Sequence, residues 1–183
     1  MTDHLSLPRR SFLFWGAGAA AALIVRPDKA SAAVDRYRTL TLHSRWSNEV
    51  FHGPYYEKGR YLPDALAEIN HLFRDRHNQA VTKIDIRLLD LLNGFAAKAN
   101  YTNSLEIVCG YRSRSTNNAL LHEGQRVAKD SLHILGRAVD VRFGKELPLK
   151  QARQVALALQ AGGVGYYRKQ KFLHLDVGPV RSW

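Results

Sequence analysis

Ser131-Leu132-His133-Ile134-Leu135-Gly136-Arg137-Ala138-Val139-Asp140 places a histidine seven residues before an aspartate, across a glycine. Arg137 to Phe143 has strand character, so His133 falls on the loop that enters the strand and Asp140 lies within it. A turn at Gly136 lets both side chains point to one spot. Downstream, Leu149 to Leu159 reads as a helix stopped by Gly162-Gly163. Val164 to Tyr167 and Lys171 to Val177 follow as two strands of a hairpin. Within the second, Phe172-Leu173-His174-Leu175-Asp176 alternates with period two, which sets His174 and Asp176 on one face with Phe172.

Upstream, Leu105 to Cys109 is a short β-rich run ending at Gly110, Thr116 to Leu121 a short helix, and Gly124 to Leu135 a loop without periodicity. Arg38 to His43 alternates like a half-buried strand, with Asn48 to Phe51 as its hairpin partner across Arg45-Trp46-Ser47. Gly53-Pro54 and Lys58-Gly59 punctuate a loop. Pro63 starts a helix with Leu62, Leu66, Ile69 and Phe73 at helical spacing, and Asp85 caps a second carrying Leu88, Leu92, Phe95 and Ala99. Strands and helices in mixed order, without a βαβ rhythm, give an α+β domain: an antiparallel β-sheet flanked by helices.

The first 32 residues read as an export leader. Arg9-Arg10 precedes an apolar run from Phe12 to Val25, fourteen residues where a bilayer span needs roughly 20. Ala30-Ser31-Ala32 is a small-x-small cleavage site, and the paired arginines resemble a bacterial twin-arginine signal. The domains are therefore a leader over residues 1–32 and one domain over 33–183. An uncleaved N-terminal anchor is the alternative, and no other segment is apolar enough to insert in a membrane.

The 183 residues carry 27 Lys plus Arg against 16 Asp plus Glu, a net charge of +11. The leader holds four of the basic and two of the acidic residues, so the domain itself keeps +9. Such a surplus suits nucleic acid, an anionic membrane face or a cell-wall polymer, and export removes nucleic acid. The single cysteine, Cys109, excludes a disulfide framework and a Cys-rich zinc site.

Taken singly, His133 and His174 suit hydrogen-bonded structural roles, and Asp140 suits pairing with an arginine. Together, two imidazoles and a carboxylate form the ligand set of catalytic zinc hydrolases. Several runs also carry a family likeness: His133 to Asp140, His174-Leu175-Asp176, Gly110-Tyr111-Arg112-Ser113 and Gly162 to Tyr167. Leu40-Thr41-Leu42, Asn70 to Asp75, Gly178-Pro179, Trp183 and the leader extend it over nearly the whole chain. These resemble the YcbK/MepK group of periplasmic murein endopeptidases. That group lies within the zinc D-alanyl-D-alanine peptidase superfamily, which includes the hedgehog-like domains.

The resemblance implies a hedgehog-like fold and one zinc per chain, held by His133, Asp140 and His174. It implies that Arg112 holds an oxyanion or a substrate carboxylate, and that Ser113, Ser131 and Asn117 orient the peptide. The general base departs from the superfamily: Lys171 and Phe172 stand where relatives carry a carboxylate or a histidine. Asp176 is the nearest carboxylate, as base or as the partner that orients an imidazole, and His122 reads as a solvated loop residue. Tyr166 and Tyr167 either line a groove or pack in the sheet.

The substrate so implied is the peptidoglycan stem peptide in the periplasm. The bond is the cross-link between two diaminopimelate residues, with the D-alanine–diaminopimelate cross-link as the alternative. A non-hydrolytic, zinc-containing wall-binding module is the reading from a different class.

Overall fold

Alternation decides the first strand: in β1 (Tyr37–Ser44), Leu40 and Leu42 point inward while Thr39 and Thr41 lie on the other face. The structure is a computed structural model that describes residues 37–183, so the leader and its cleavage site lie outside the described residues. A turn at 45–47 returns the chain into β2 (Val50–Glu57), followed by β3 (Arg60–Tyr61). Two helices come next. Pro63 occupies the first position of α1 (Pro63–Leu72), and the Asp85 carboxylate accepts the Arg87 N–H to cap α2 (Ile86–Lys98). β4 (Leu105–Cys109), α3 (Arg114–His122), a 3-10 turn (Leu132–Leu135) and β5 (Ala138–Arg142) then lead to α4 (Leu149–Leu159). The chain closes with β6 (Gly163–Tyr167), β7 (Phe172–Asp176) and β8 (Arg181–Ser182).

One eight-stranded sheet, in the order β3-β2-β1-β4-β5-β7-β6-β8, is flanked by the helices, so the α+β class holds. The sheet is mixed rather than antiparallel. β1 and β4 pair in parallel because α1 and α2 form a crossover between them, and β8 runs parallel to β6 because it reverses direction after β7. Gly53-Pro54, expected in a loop, lies inside β2. The ladder steps from Thr39↔Pro54 to Arg38↔Tyr56, leaving Tyr55 as a bulge whose buried hydroxyl donates to Asp90 Oδ1 at 2.9 Å. β3 pairs only with Tyr56 and Glu57, so the proline sits where no ladder bond is needed.

The central strands bury both faces. Val139 and Val141 of β5 and Leu173 and Leu175 of β7 join Leu42, Ile69, Leu88, Leu92 and Phe95 in the core beneath the helices. Alternation turns Asp140, His174 and Asp176 to the opposite face, where they too are buried. A buried polar face on the two central strands requires a use. Among the described residues no helix is long and apolar enough to cross a membrane.

Candidate metal centre

Asp140 and His174 are cross-strand partners, the register pairing β5 and β7 residue for residue from Ala138↔Asp176 to Val141↔Leu173. His133 reaches them from the 3-10 turn, which Ser131 caps by accepting the His133 N–H at 3.4 Å. Gly136 ends that turn at φ 62°, and a Cβ there would sit 2.7 Å from the Lys83 carbonyl oxygen, so both conformation and space require glycine.

Three atoms face one another: His133 Nε2, Asp140 Oδ1 and His174 Nδ1. Their separations are 3.2 Å between the imidazoles and 3.3 Å and 3.0 Å from each to the carboxylate oxygen. Tetrahedral zinc with bonds of about 2.1 Å separates its ligand atoms by roughly 3.4 Å, so the triangle fits such an ion. The far side of each ring agrees. His133 Nδ1 lies 2.7 Å from the Gly110 carbonyl oxygen, which only accepts, so Nδ1 keeps its proton and Nε2 is the nitrogen turned to the centre. His174 Nε2 donates likewise to Asp176 Oδ2 at 3.0 Å, freeing Nδ1.

The electrostatics favour a cation between these atoms. Burial alone would depress the His133 pKa, but Asp140 and Cys109 beside it hold it well above 6.5. Asp140, which burial would push up, is held far below the usual carboxylate range by His133 and His174. The donor atoms of Cys109, His133 and Asp140 all lie within 4.8 Å of one another, so the single cysteine borders the same centre.

A cleft opens on both sides. One arm, about 330 Å³, runs toward Trp46, Asp75, Arg76 and His77, and the other, about 220 Å³, toward Arg126, Tyr167 and Trp183. Arg112, Val127, Asp140 and Phe172 line both arms.

The sequence profile of the peptidoglycan L,D-endopeptidase MepK family matches residues 31–183. The chain belongs to this family. It is 35% identical over 182 residues to the peptidoglycan L,D-endopeptidase MepK of Escherichia coli strain K12, covering 99% of this chain and 100% of that protein. It is 34% identical over 184 residues to the probable peptidoglycan L,D-endopeptidase MepK of Haemophilus influenzae, covering 99% and 98% of the two chains.

Within this member of the MepK family, the other expected residues separate by position. Arg112 stands at the wall common to both arms, its Nη1 donating to Asn117 Oδ1 at 3.3 Å and its Nη2 to Cys109 Sγ at 3.5 Å. Asn117 is fully buried and donates to the Ala128 and Lys129 carbonyls, so it fixes Arg112 and the loop beyond α3. Ser131 lines the second arm, but its hydroxyl serves the turn that carries His133. Tyr167 lines that arm, stacked on Phe172 at 4.5 Å, whereas Tyr166 packs against the core. Lys171 lies in the β6–β7 turn at φ 60°, exposed, and His122 is exposed at the end of α3.

Two expectations meet a different geometry. Ser113 lines neither arm: it is buried, and its hydroxyl accepts the Thr116 N–H at 3.2 Å as the N-cap of α3. Asp176 is fully buried and its carboxylate is already full. Oδ1 accepts from Gly163 N, Gly178 N and Arg181 Nη1, and Oδ2 from His174 Nε2 and Arg181 Nη2. A carboxylate offers about four lone-pair positions, so none is left to take a proton from water, and the geometry suits the orienting role alone.

Sequence reasoning did not single out Asp75, although it ends the Asn70 to Asp75 run. Buried at 1% exposure, it accepts the Ser113 N–H and the His77 N–H, each at 2.8 Å, which ties the loop carrying Arg112 to the end of α1. Burial would raise its pKa, but hydrogen bonds from Thr116, His77 and Ser113 hold it below the ordinary value. Asp75→Asn is expected to cost about 2 kcal/mol of unfolding free energy at pH 7, since one buried N–H then faces an amide donor. The native carboxylate's advantage exists above its unfolded pKa of about 3.9 and is lost as pH falls through its lower folded value. Urea unfolding at pH 7 and pH 3 checks this: the gap between wild type and variant narrows at pH 3.

Proposed function

We propose that this protein cleaves peptide cross-links of peptidoglycan by zinc-dependent hydrolysis in the periplasm, with one zinc per chain held by His133 Nε2, Asp140 Oδ1 and His174 Nδ1. The observation that carries the reading is the triangle of three ligand atoms, with the far nitrogens of the two rings held by the Gly110 carbonyl and Asp176. Zinc bound there supplies an acidified water and a Lewis acid for the scissile carbonyl.

The chain's own residues account for the rest. A cleft with arms on both sides of the centre admits an internal peptide bond with chain on either side, as an endopeptidase needs. Arg112, at the point the arms share, offers a permanently charged fork of donors to the oxyanion that develops there. Asp176 keeps the proton on His174 Nε2 and thereby holds Nδ1 toward the metal. Peptidoglycan stem peptides are rich in carboxylates, and the domain's +9 charge draws them in, most strongly at low salt. The L,D-endopeptidase activity named for the relatives supports the cross-link between two diaminopimelate residues as the bond cleaved.

The test is incubation of the purified protein with zinc and two isolated muropeptide dimers, one linked through two diaminopimelate residues and one through D-alanine and diaminopimelate. Mass spectrometry is expected to find monomers from the first dimer, absent with a chelator. Dimers of both kinds left intact by the zinc-loaded protein would overturn the activity. Release from the D-alanine dimer alone would reassign the bond.

Zinc must displace the proton that His133 retains above the ordinary imidazole range, so affinity is expected to rise about tenfold per pH unit between pH 6 and pH 7. Competition against a chromophoric chelator measures this. A pH-independent affinity across that interval would contradict proton displacement at His133.

A further inference from the structure

The segment from Gly178 to Trp183 reaches the metal centre through the Gly178 N–H, the Arg181 guanidinium and the Trp183 ring. Arg181 Nη1 lies 3.1 Å from Asp176 Oδ1 and Nη2 lies 2.7 Å from Asp176 Oδ2, a two-pronged contact with a carboxylate that is itself fully buried. Asp176 Oδ2 is also the acceptor for His174 Nε2. Among the described residues, Arg181 is the only arginine or lysine paired with Asp176.

Arg181 is in turn held on three sides. Its Nη1 donates to the Pro179 carbonyl at 3.0 Å, and its guanidinium stacks on the Trp183 ring at 5.0 Å. Trp183 is fixed by backbone hydrogen bonds with Val164 and Tyr166 and by its indole N–H, which donates to the Tyr167 hydroxyl at 3.1 Å. Two glycines make the room. A Cβ at Gly163 would overlap Asp176 Oδ2 and stand 2.5 Å from Arg181 Nη1, and one at Gly165 would stand 2.8 Å from the Trp183 indole. Gly165 is the cross-strand partner of His174, and the Trp183 ring lies 5.3 Å from the His174 ring. Arg181, Asp176 and His174 therefore form one continuous chain of contacts that ends at the proposed metal site.

We propose that Arg181 is a positioning residue of the metal centre: its bidentate grip on Asp176 fixes the orientation of the His174 ring and so sets metal affinity. The inference rests on the metal site proposed above. A carboxylate held only by two backbone N–H groups can swing about its Cα–Cβ bond, whereas one clamped by a planar fork cannot. A loosened acceptor lets the imidazole it orients rotate away from the Asp140–His133 pair.

Zinc affinity, read by chelator competition, tests this in wild type, Arg181→Ala, Arg181→Lys, Asp176→Asn and the double variant Arg181→Ala/Asp176→Asn, with His133→Ala as reference. Circular dichroism confirms that each is folded. Arg181→Ala is expected to weaken zinc binding 10- to 100-fold, the range seen when the partner of a ligating histidine is lost. Arg181→Lys, which keeps the charge without the fork, is expected to recover only part of that. In the Asp176→Asn background the same Arg181→Ala change is expected to alter affinity less than about twofold, because its route is already cut.

If wild type and His133→Ala bind zinc equally weakly, the metal reading fails. If wild type binds and His133→Ala does not, while Arg181→Ala binds like wild type, the positioning role is overturned. Equal losses from Arg181→Ala in both backgrounds overturn it too, since the effect then bypasses Asp176. Should Arg181→Ala not fold, Arg181→Lys and its double with Asp176→Asn decide on the same terms.

Discussion

His133→Ala is expected to lose zinc and cross-link hydrolysis together, with turnover falling more than about a thousandfold, because the step then lacks both an acidified water and a Lewis acid. His133 is 3% exposed and offers Nε2 to the centre while Gly110 holds Nδ1, so the substitution removes one of the three proposed ligand atoms. The backbone of the turn does not depend on the ring: Ser131 still accepts the N–H of residue 133, and Gly136 still ends the turn. Folding therefore survives, and the loss reads out as metal and activity. Elemental analysis of the purified variant together with mass spectrometry of the muropeptide digest checks both. His122→Ala, an exposed position at the end of α3, is expected to leave both unchanged. Stoichiometric zinc retained in His133→Ala would remove that residue from the ligand set.

What made His133, Asp140 and His174 legible is that each is announced locally. The first two flank Gly136, whose left-handed turn aims a loop side chain and a strand side chain at one place. His174 and Asp176 share a face through strand alternation, and α4 covers the expected Leu149–Leu159, although Gln160 at φ 51° rather than Gly162-Gly163 is what ends it. What was not legible depends on strand order. Asp140 opposes His174 only because β5 and β7 are neighbours, although α4 and β6 separate them in the chain. The parallel β1–β4 pair depends likewise on where the crossover helices return the chain.

The side-chain roles that local pattern does not reach have the same origin. Family likeness points Ser113 toward the substrate, whereas in the structure its hydroxyl accepts the Thr116 N–H as the cap of α3. Asp176 was open as a base because its five donors come from three separate segments that no local pattern connects. Asp75 is bound to Ser113 across 38 residues, a contact that topology alone creates.

Arg112→Ala is expected to lower kcat by about 10²- to 10³-fold, the cost of removing one oxyanion donor, with KM and zinc content nearly unchanged. Position distinguishes the two roles open to this arginine. A residue that holds a carboxylate of the ground-state substrate belongs in one arm, where the stem peptide lies before and after the reaction. Arg112 instead lines the wall common to both arms together with Asp140, where the proposed metal would hold the scissile carbonyl. Its backbone N–H donates to the His133 carbonyl at 3.2 Å, so the loop that carries the guanidinium moves with the turn that carries a ligand. Its own contacts are weak, to Asn117 at 3.3 Å and Cys109 at 3.5 Å, and among the described residues no carboxylate pairs with it. A charge so lightly engaged is available to an oxyanion and little needed by the fold, which keeps the stability cost of its removal small. Arg112→Lys is expected to restore little, because a single ammonium on a flexible stem lacks the fork. Steady-state kinetics on the diaminopimelate-linked dimer separates the outcomes. A rise in KM at constant kcat would place Arg112 on a substrate carboxylate instead, and loss of zinc would make it a support of the metal turn.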